Sequence, residues 1–301
     1  MSYAIGVDLG GTNIKIAVVS HDGEVLEFLT CETADDETGS WAETIKQKIG
    51  GIQNERGEPA SHIGLAAPGL AARDGRSIVN LPGRLGGLEG LVWTEVLQTP
   101  RAVLVLNDAH AALLGEVWKG AAAGFSNVVL LTLGTGVGGA ILVDGRLFKG
   151  HIGRAGHFGH ICLNPDGPPD IVGTPGSLEA MIGDYSLIAR SAGRFSSTRQ
   201  LVAAHLAGDS QATNIWLRSV YHLAVGITSI INAFDPEVII LGGGIARAGS
   251  ALFEPLAGFM EQVEWRPLGH RVPIIPAALS DQAGALGAVY HTIRGNEEGF
   301  G

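Results

Sequence analysis

Cysteine is nearly absent. Two residues, Cys31 and Cys162, occur in 301, too few for a disulfide framework. Positive charge is also scarce. Twenty Lys and Arg stand against thirty Asp and Glu, a formal net charge of −10. That balance offers no basic footprint for nucleic acid, and an anionic membrane would repel it. No uncharged apolar run reaches the roughly 18 residues of a membrane span. The opening "MSYAIGVDLGG" is interrupted by Asp8 and has no basic residue before it, so it does not read as a signal peptide. No G-x-x-x-x-G-K-[ST] is present, which excludes a P-loop. These absences describe a soluble, cytoplasmic protein with reduced thiols and with neither nucleic acid nor membrane as partner.

Hydrophobic residues make up 46% of the chain and charged residues 17%, with a mean hydropathy of +0.24. That is a composition able to bury a large core, and the length allows two domains. Glycine, at 45 residues, predicts many tight turns and places where backbone approaches a ligand.

The chain contains an internal echo. "YAIGVDLGGTNIKIAVVSHDGEVLEFL" and "NVVLLTLGTGVGGAILVDGRLFKG" (127–150) each run apolar, Gly/Thr turn, apolar, Asp-Gly. Asp-Gly between apolar runs is a hairpin signal. A third apolar run follows each copy, "HIGLAAPG" (62–69) and "EVIILGGG" (237–244). The plan predicts two similar α/β domains, with a boundary near 115–123. Helical spacing marks 39–53, 109–122, 212–234 and 280–293, the last with Ser280 or Asp281 available as a cap. In the third, Leu217, Val220, Tyr221, Ala224, Thr228 and Ile231 form the expected apolar stripe. The tail 294–301 reads as disordered.

The two Gly/Thr turns carry the first chemistry. Gly10, Gly11 and Thr12, and again Gly134, Thr135 and Gly136, can turn backbone N–H groups and a hydroxyl toward phosphate oxygens. Asp8, at the strand end before the first turn, can hold Mg²⁺ through water, and Lys15 counts with the phosphate-binding set. Gly134, Gly136 and Gly139 also spell G-x-G-x-x-G. The dinucleotide fingerprint needs a helix there, and "AILVDGRLF" reads as a strand and hairpin instead. "VLVLNDAHAALLGE" ends an apolar run at Asn107-Asp108 before a helix. Asp108 there reads either as a general base or as the helix N-cap.

"IGVDLGGTNIKIAVV", "NDAHAALLGE", "LTLGTGVGGAILVDGRLFKG" and "DPEVIILGGGIA" resemble, in order and over nearly the whole chain, the ROK family of sugar kinases and repressors in the actin/hexokinase-like superfamily. The resemblance implies two actin-like ATPase (ribonuclease H-like) domains with ATP in a cleft between them. The sugar-binding and catalytic domain would be 1–117 plus 283–295. The nucleotide domain would be 118–282, including a sugar-contacting loop at 151–180. Asp108 matches the catalytic aspartate. Gly69, Asn80, Asn107, His160 and Glu179 match sugar contacts, and Gly242, Gly243 and Gly244 match the loop beside adenosine. The implied activity is ATP- and Mg²⁺-dependent phosphorylation of a hexose at its 6-hydroxyl, by a homodimer. Glucose is the default, with N-acetylhexosamine, mannose, allose and fructose open. A sugar-sensing regulator is the alternative, although such members carry a DNA-binding region before the first turn and only seven residues precede Asp8 here.

The chain departs from the family in "GHFGHICLNPDGPPDIVGTPGSLE" (156–179). His157 replaces the sugar-binding Glu, which would change the preferred hydroxyl pattern. The three zinc cysteines align with Asp170, Val172 and Ser177. Structural zinc wants four N/S ligands, and His160 alone is kept, so no zinc is expected. His151, His157, His160 and Cys162 have ligand chemistry but no established metal spacing. Arg84 stands where the family often has an aromatic residue.

Overall fold

The computed structural model describes residues 2–35, 38–81 and 83–297. The chain forms two compact units. Unit 1 is Met1–Gly124, Leu147–Ala155 and Ala278–Gly301, and unit 2 is Phe125–Arg146 and Gly156–Ala277.

The strands and helices run in order β1 (Tyr3–Leu9), β2 (Asn13–Ser20), β3 (Val25–Glu32), α1 (Ser40–Arg56), β4 (His62–Ala67), β5 (Leu70–Ala71), β6 (Ile78–Asn80), α2 (Trp93–Leu97), β7 (Leu104–Asn107) and α3 (Asp108–Lys119). The second copy follows with β8 (Val128–Leu133), β9 (Val137–Val143), β10 (Arg146–Leu147), α4 (Leu178–Ile182), α5 (Leu187–Arg190), α6 (Thr198–Leu206), α7 (Ser210–Phe234), β11 (Val238–Gly242), α8 (Ser250–Val263), β12 (Ile274–Pro276) and the returning α9 (Ala283–Glu297).

The echo is a topological one. The first sheet has the order β3-β2-β1-β4-β7 and the second β10-β9-β8-β11-β12. In each, the strand before the Gly/Thr turn pairs antiparallel with the next and parallel with the third apolar run. The second Asp-Gly hairpin has both turn residues at positive φ, Asp144 at 49° and Gly145 at 74°, as a turn matching strand twist requires.

The period of two along β1 divides its side chains between two layers. Ile5, Val7 and Leu9 join Trp41, Ile45 and Ile49 of α1 in one core. Ala4 faces the other way, toward Ala285, Leu286 and Val289 of α9. On that face Gly6 lets the helix backbone come close, because a Cβ there would lie 2.0 Å from the Ala285 carbonyl oxygen. Asp8 continues the same row, so the packing of α9 reaches a charged group.

The structure moves the expected domain limits. The first unit extends past 117 to Gly124, takes 278–282 as well as α9, and includes 147–155. The causes are polar clamps. Buried Glu116 accepts backbone N–H groups of Ala121, Ala278 and Leu279, and His110 Nε2 donates to the Ala155 oxygen at 3.1 Å. The expected 151–180 loop is therefore divided at 155/156. Of the expected stripe on α7, Val220, Ala224 and Ile231 are buried, Leu217 and Thr228 are half-buried and Tyr221 is exposed, while Trp216, Leu223, Ile227 and Ile230 complete the buried face. The helix is where its spacing predicts, with its buried face widened to take in the larger side chains. At the C-terminus α9 continues through Glu297, where disorder was expected from 294. Residues 298–301 lie outside the described residues.

Candidate active site

In unit 1, the turn after β4 and the end of β7 bring three expected sugar residues together. Leu70 pairs with Asn80 across β5 and β6. Gly69, at φ 98°, sits so close that a Cβ would lie 2.6 Å from the Asn80 oxygen. Asn107 donates from Nδ2 to the Gly69 oxygen at 3.0 Å.

Asn107 also decides the role of its neighbour. Its Oδ1 accepts from Ala109 N at 3.0 Å and His110 N at 3.3 Å, making it the N-cap of α3. Asp108 is the first helical residue instead, and it is exposed where Asn107, Ala109 and His110 are buried. Its Oδ1 accepts the adjacent Ala109 N–H at 2.8 Å. The capping alternative for Asp108 thus falls to Asn107. With Oδ1 engaged and one N–H on Gly69, Asn107 keeps one amide N–H for a ligand.

Asp8 lies near Asp108. Desolvation pushes its carboxyl up to about 7, Lys15 opposes this, and Asp108 and Asp281 add to it. Lys15, opposite Asp8 in the β1–β2 register, places Nζ 4.0 Å from Asp8 Oδ2 and 3.2 Å from Asp281 Oδ1. Asp281 is thus a partner of Lys15. A Cβ on Gly284 would lie 2.7 Å from Asp8 Cγ, so the start of α9 fits against the carboxylate only as glycine. The first Gly/Thr turn is closed by Gly10 N to Asn13 O at 3.0 Å and by Thr33 Oγ1 to Gly10 O at 2.8 Å. Gly11 and Thr12 stand at its tip, and Arg84 Nη1 lies 3.5 Å from where a Gly11 Cβ would be. Arg84 therefore brings a guanidinium to the first Gly/Thr turn.

In unit 2, Gly134 and Thr135 of the second turn line a cavity of about 680 Å³ with Gly244. Arg199 and Arg247 also line it, two cations that no local pattern marks. Gly243, at φ 86°, leaves no room for a Cβ, which would meet the Leu133 oxygen at 2.3 Å. Gly242 ends β11. The turn is held by Asp184 N and Tyr185 N donating to the Gly134 and Thr135 oxygens.

The departing loop is ordered by hydrogen bonds. His160 Nδ1 is 2.8 Å from Asp170 Oδ2. Asp170 Oδ1 accepts from Val172 N at 3.0 Å and Thr174 N at 2.9 Å. Burial raises the Asp170 pKa, but hydrogen bonds from His160, Thr174, Ser177 and Val172 outweigh it and hold the carboxyl low. Two of the three positions aligned with zinc cysteines, Asp170 and Ser177, are thus tied to one another and to His160. Glu179 is buried. Its Oε2 faces Val137 N at 3.4 Å, its Oε1 has no hydrogen-bond partner among the described residues, and burial raises its pKa. His160, Asp170 and Glu179 place one ligand atom each within 4.8 Å of one another. One nitrogen and two carboxylate oxygens do not make the four-coordinate N/S set of structural zinc, and the imidazole nitrogen facing them is already bonded to Asp170. His157, half-buried, precedes the short 3₁₀ turn Phe158–His160. Cys162 is exposed. Among the described residues no helix is long and apolar enough to cross a membrane.

The sequence profile of the ROK family matches residues 4–294. A glucokinase of Thermotoga maritima is 34% identical, covering 94% of this chain and 95% of that protein. Among solved structures, a ROK hexokinase from Thermus thermophilus superposes with a TM-score of 0.86 at 30% identity, over 99% of this chain and 100% of the other. A ROK glucokinase from Streptomyces griseus, in complex with glucose and AMPPNP, superposes with a TM-score of 0.81 at 26% identity, over 98% and 100%. With a repeated α/β unit of one strand order and a profile match over nearly its whole length, the chain belongs to the ROK family and has its two-unit, actin-like ATPase fold.

Proposed function

We propose that the protein is an ATP-dependent kinase that phosphorylates a glucose-like hexose at its 6-hydroxyl, with Asp108 as general base. The observation that carries this reading is the division of labour at the start of α3, where Asn107 caps the helix and leaves the Asp108 carboxylate exposed. A carboxylate there can accept the proton of a hydroxyl as it attacks the γ-phosphorus.

Gly69, Asn80 and the remaining Asn107 amide N–H would hold sugar hydroxyls in unit 1. In unit 2 the orphan oxygen Glu179 Oε1 needs a donor, which a sugar hydroxyl provides. His160, with Nδ1 turned to Asp170, has Nε2 left for a ligand. Replacement of the family's Glu by His157 makes this corner the place where sugar preference is set. Arg199, Arg247 and Gly244 would enclose the nucleotide, while Gly10–Thr12 and Gly134–Gly136 present N–H groups to phosphate oxygens. Mg²⁺ would neutralise phosphate charge, and Asp8 is the carboxylate that would hold it through water. The Asp170–Ser177 link to His160 does in this chain what zinc does elsewhere in the family, so the loop is metal-free.

Asp108→Ala tests the base. Turnover should fall by roughly 10² to 10⁴, the usual contribution of a positioned base, with sugar affinity largely kept. Retained turnover would remove Asp108 from that role.

A further inference from the structure

Unit 1 holds a second, smaller cavity, of about 90 Å³. Arg73, His110 and Lys149 line it, with Leu106, Gly150 and Gly153, and none of its lining residues is a carboxylate. Asn107 and Asp108 do not line it either, although Leu106 and His110 flank them in the chain. We propose that this cavity is a binding site for a small tetrahedral oxyanion of the phosphate class.

Three features argue for an anion. The first is the gathering of Arg73, His110 and Lys149 around one cavity in a chain whose net charge is −10. Burial alone pulls the Lys149 ammonium below its usual range, with no carboxylate contributing. His291 of α9 is pushed down to about 3 by burial first, and then by the charges of Lys149 and His110. A desolvated cation without a counter-charge is unfavourable, and a bound anion removes that cost. The second feature is size. A volume of about 90 Å³ is well above the roughly 10 to 15 Å³ that one water needs. That is room enough for one central atom with four oxygens. The third is a fixed wall. Gly150 and Gly153 have φ of 72° and 89°, and a Cβ on Gly153 would lie 3.0 Å from the Ala71 oxygen, so the 149–155 segment closes on β5 only with glycine there. The chemistry is that of a phosphate group, either free phosphate or the phosphate of a phosphorylated sugar whose carbon skeleton stays outside.

Calorimetric titration of the intact protein tests the site, with inorganic phosphate and with glucose 6-phosphate, in chloride buffer of matched ionic strength. Wild type should bind phosphate saturably. Lys149→Gln should weaken binding by about tenfold or more, the order expected for one charge-assisted hydrogen bond. Thr135→Val, in the other unit's phosphate turn, should leave it unchanged. Glucose 6-phosphate binding more tightly than phosphate, and weakened by the same variant, assigns a phosphorylated sugar; equal affinity assigns free phosphate. No saturable binding of either probe, wild-type affinity in Lys149→Gln, or loss through Thr135→Val would each overturn the assignment. Should Lys149→Gln fail to fold, exposed Arg73→Gln carries the test, and unchanged affinity in it counts against the site. Binding of inorganic phosphate and its weakening in Lys149→Gln do not depend on whether the protein phosphorylates a sugar.

Discussion

Replacing Glu116 with glutamine should destabilise the protein by about 3 kcal/mol, within a range of about 2 to 5. The side chain is fully buried. Oε2 accepts from Ala121 N at 2.7 Å and Ala278 N at 3.1 Å, and Oε1 accepts from Leu279 N at 2.8 Å. An amide has one acceptor oxygen. If it faces Ala121 and Ala278, its NH₂ confronts the Leu279 N–H, leaving donors facing each other without water. Each unsatisfied buried donor costs about 1 to 3 kcal/mol, and the charge assistance of the remaining bonds is lost as well. Glu116→Ala should cost more, because all three N–H groups lose their acceptor. Urea unfolding followed by tryptophan fluorescence would measure the effect. A Glu116→Gln variant within about 1 kcal/mol of wild type would refute the reasoning, since that is less than the low end for two buried unsatisfied donors. The consequence extends to the site, because Ala278 and Leu279 begin the segment that carries Asp281 to Lys15 and Gly284 to Asp8.

Three other perturbations have defined outcomes. The folded-state pKa of His291 lies below its ordinary value, at about 3, so its contribution to stability is present above about pH 6.5 and lost as pH falls toward 3. Between pH 7 and pH 5 wild type should lose about 2 kcal/mol that His291→Gln does not lose; parallel stability–pH curves would contradict this. Gly284→Ala forces the Asp8 carboxylate to move, and should lower phosphoryl transfer about tenfold or more while retaining the fold, since small misplacements of reacting groups cost rate steeply; an unchanged rate would mean Asp8 placement is unimportant. His157→Glu should shift the ranking of sugars, and metal analysis of the purified protein should find no stoichiometric zinc. An unchanged ranking would make His157 structural, and about one zinc per chain would overturn the hydrogen-bonded account of the loop.

Local signals were legible in the sequence wherever neighbouring residues generate the structure. The Asp-Gly turns, the repeated β-β-β plan and the helices α1, α3 and α7 follow from spacing and turn chemistry alone. So do the positions of Asp8, Gly10–Thr12 and Gly134–Gly136, because each lies at a strand end. Contacts between distant segments were not legible. Asp281 reads as a helix cap until β2 brings Lys15 beside it. Arg199 and Arg247 sit on elements distant in sequence from either turn. His160 has no local mark of its bond to Asp170, ten residues on. Asn107 and Asp108 are adjacent and chemically similar, so only the backbone geometry at the start of α3 separates the cap from the exposed carboxylate. The domain limits shifted for the same reason, since a single buried carboxylate, Glu116, ties 121 and 278–279 to α3.

A coupled assay for ADP release over a panel of hexoses tests the central claim most directly. Wild-type protein with ATP and Mg²⁺ should release ADP with at least one glucose-like hexose, and Asp108→Ala should not. Measurable sugar binding without ADP release from any hexose would contradict the claim and leave a sugar-binding protein without kinase activity.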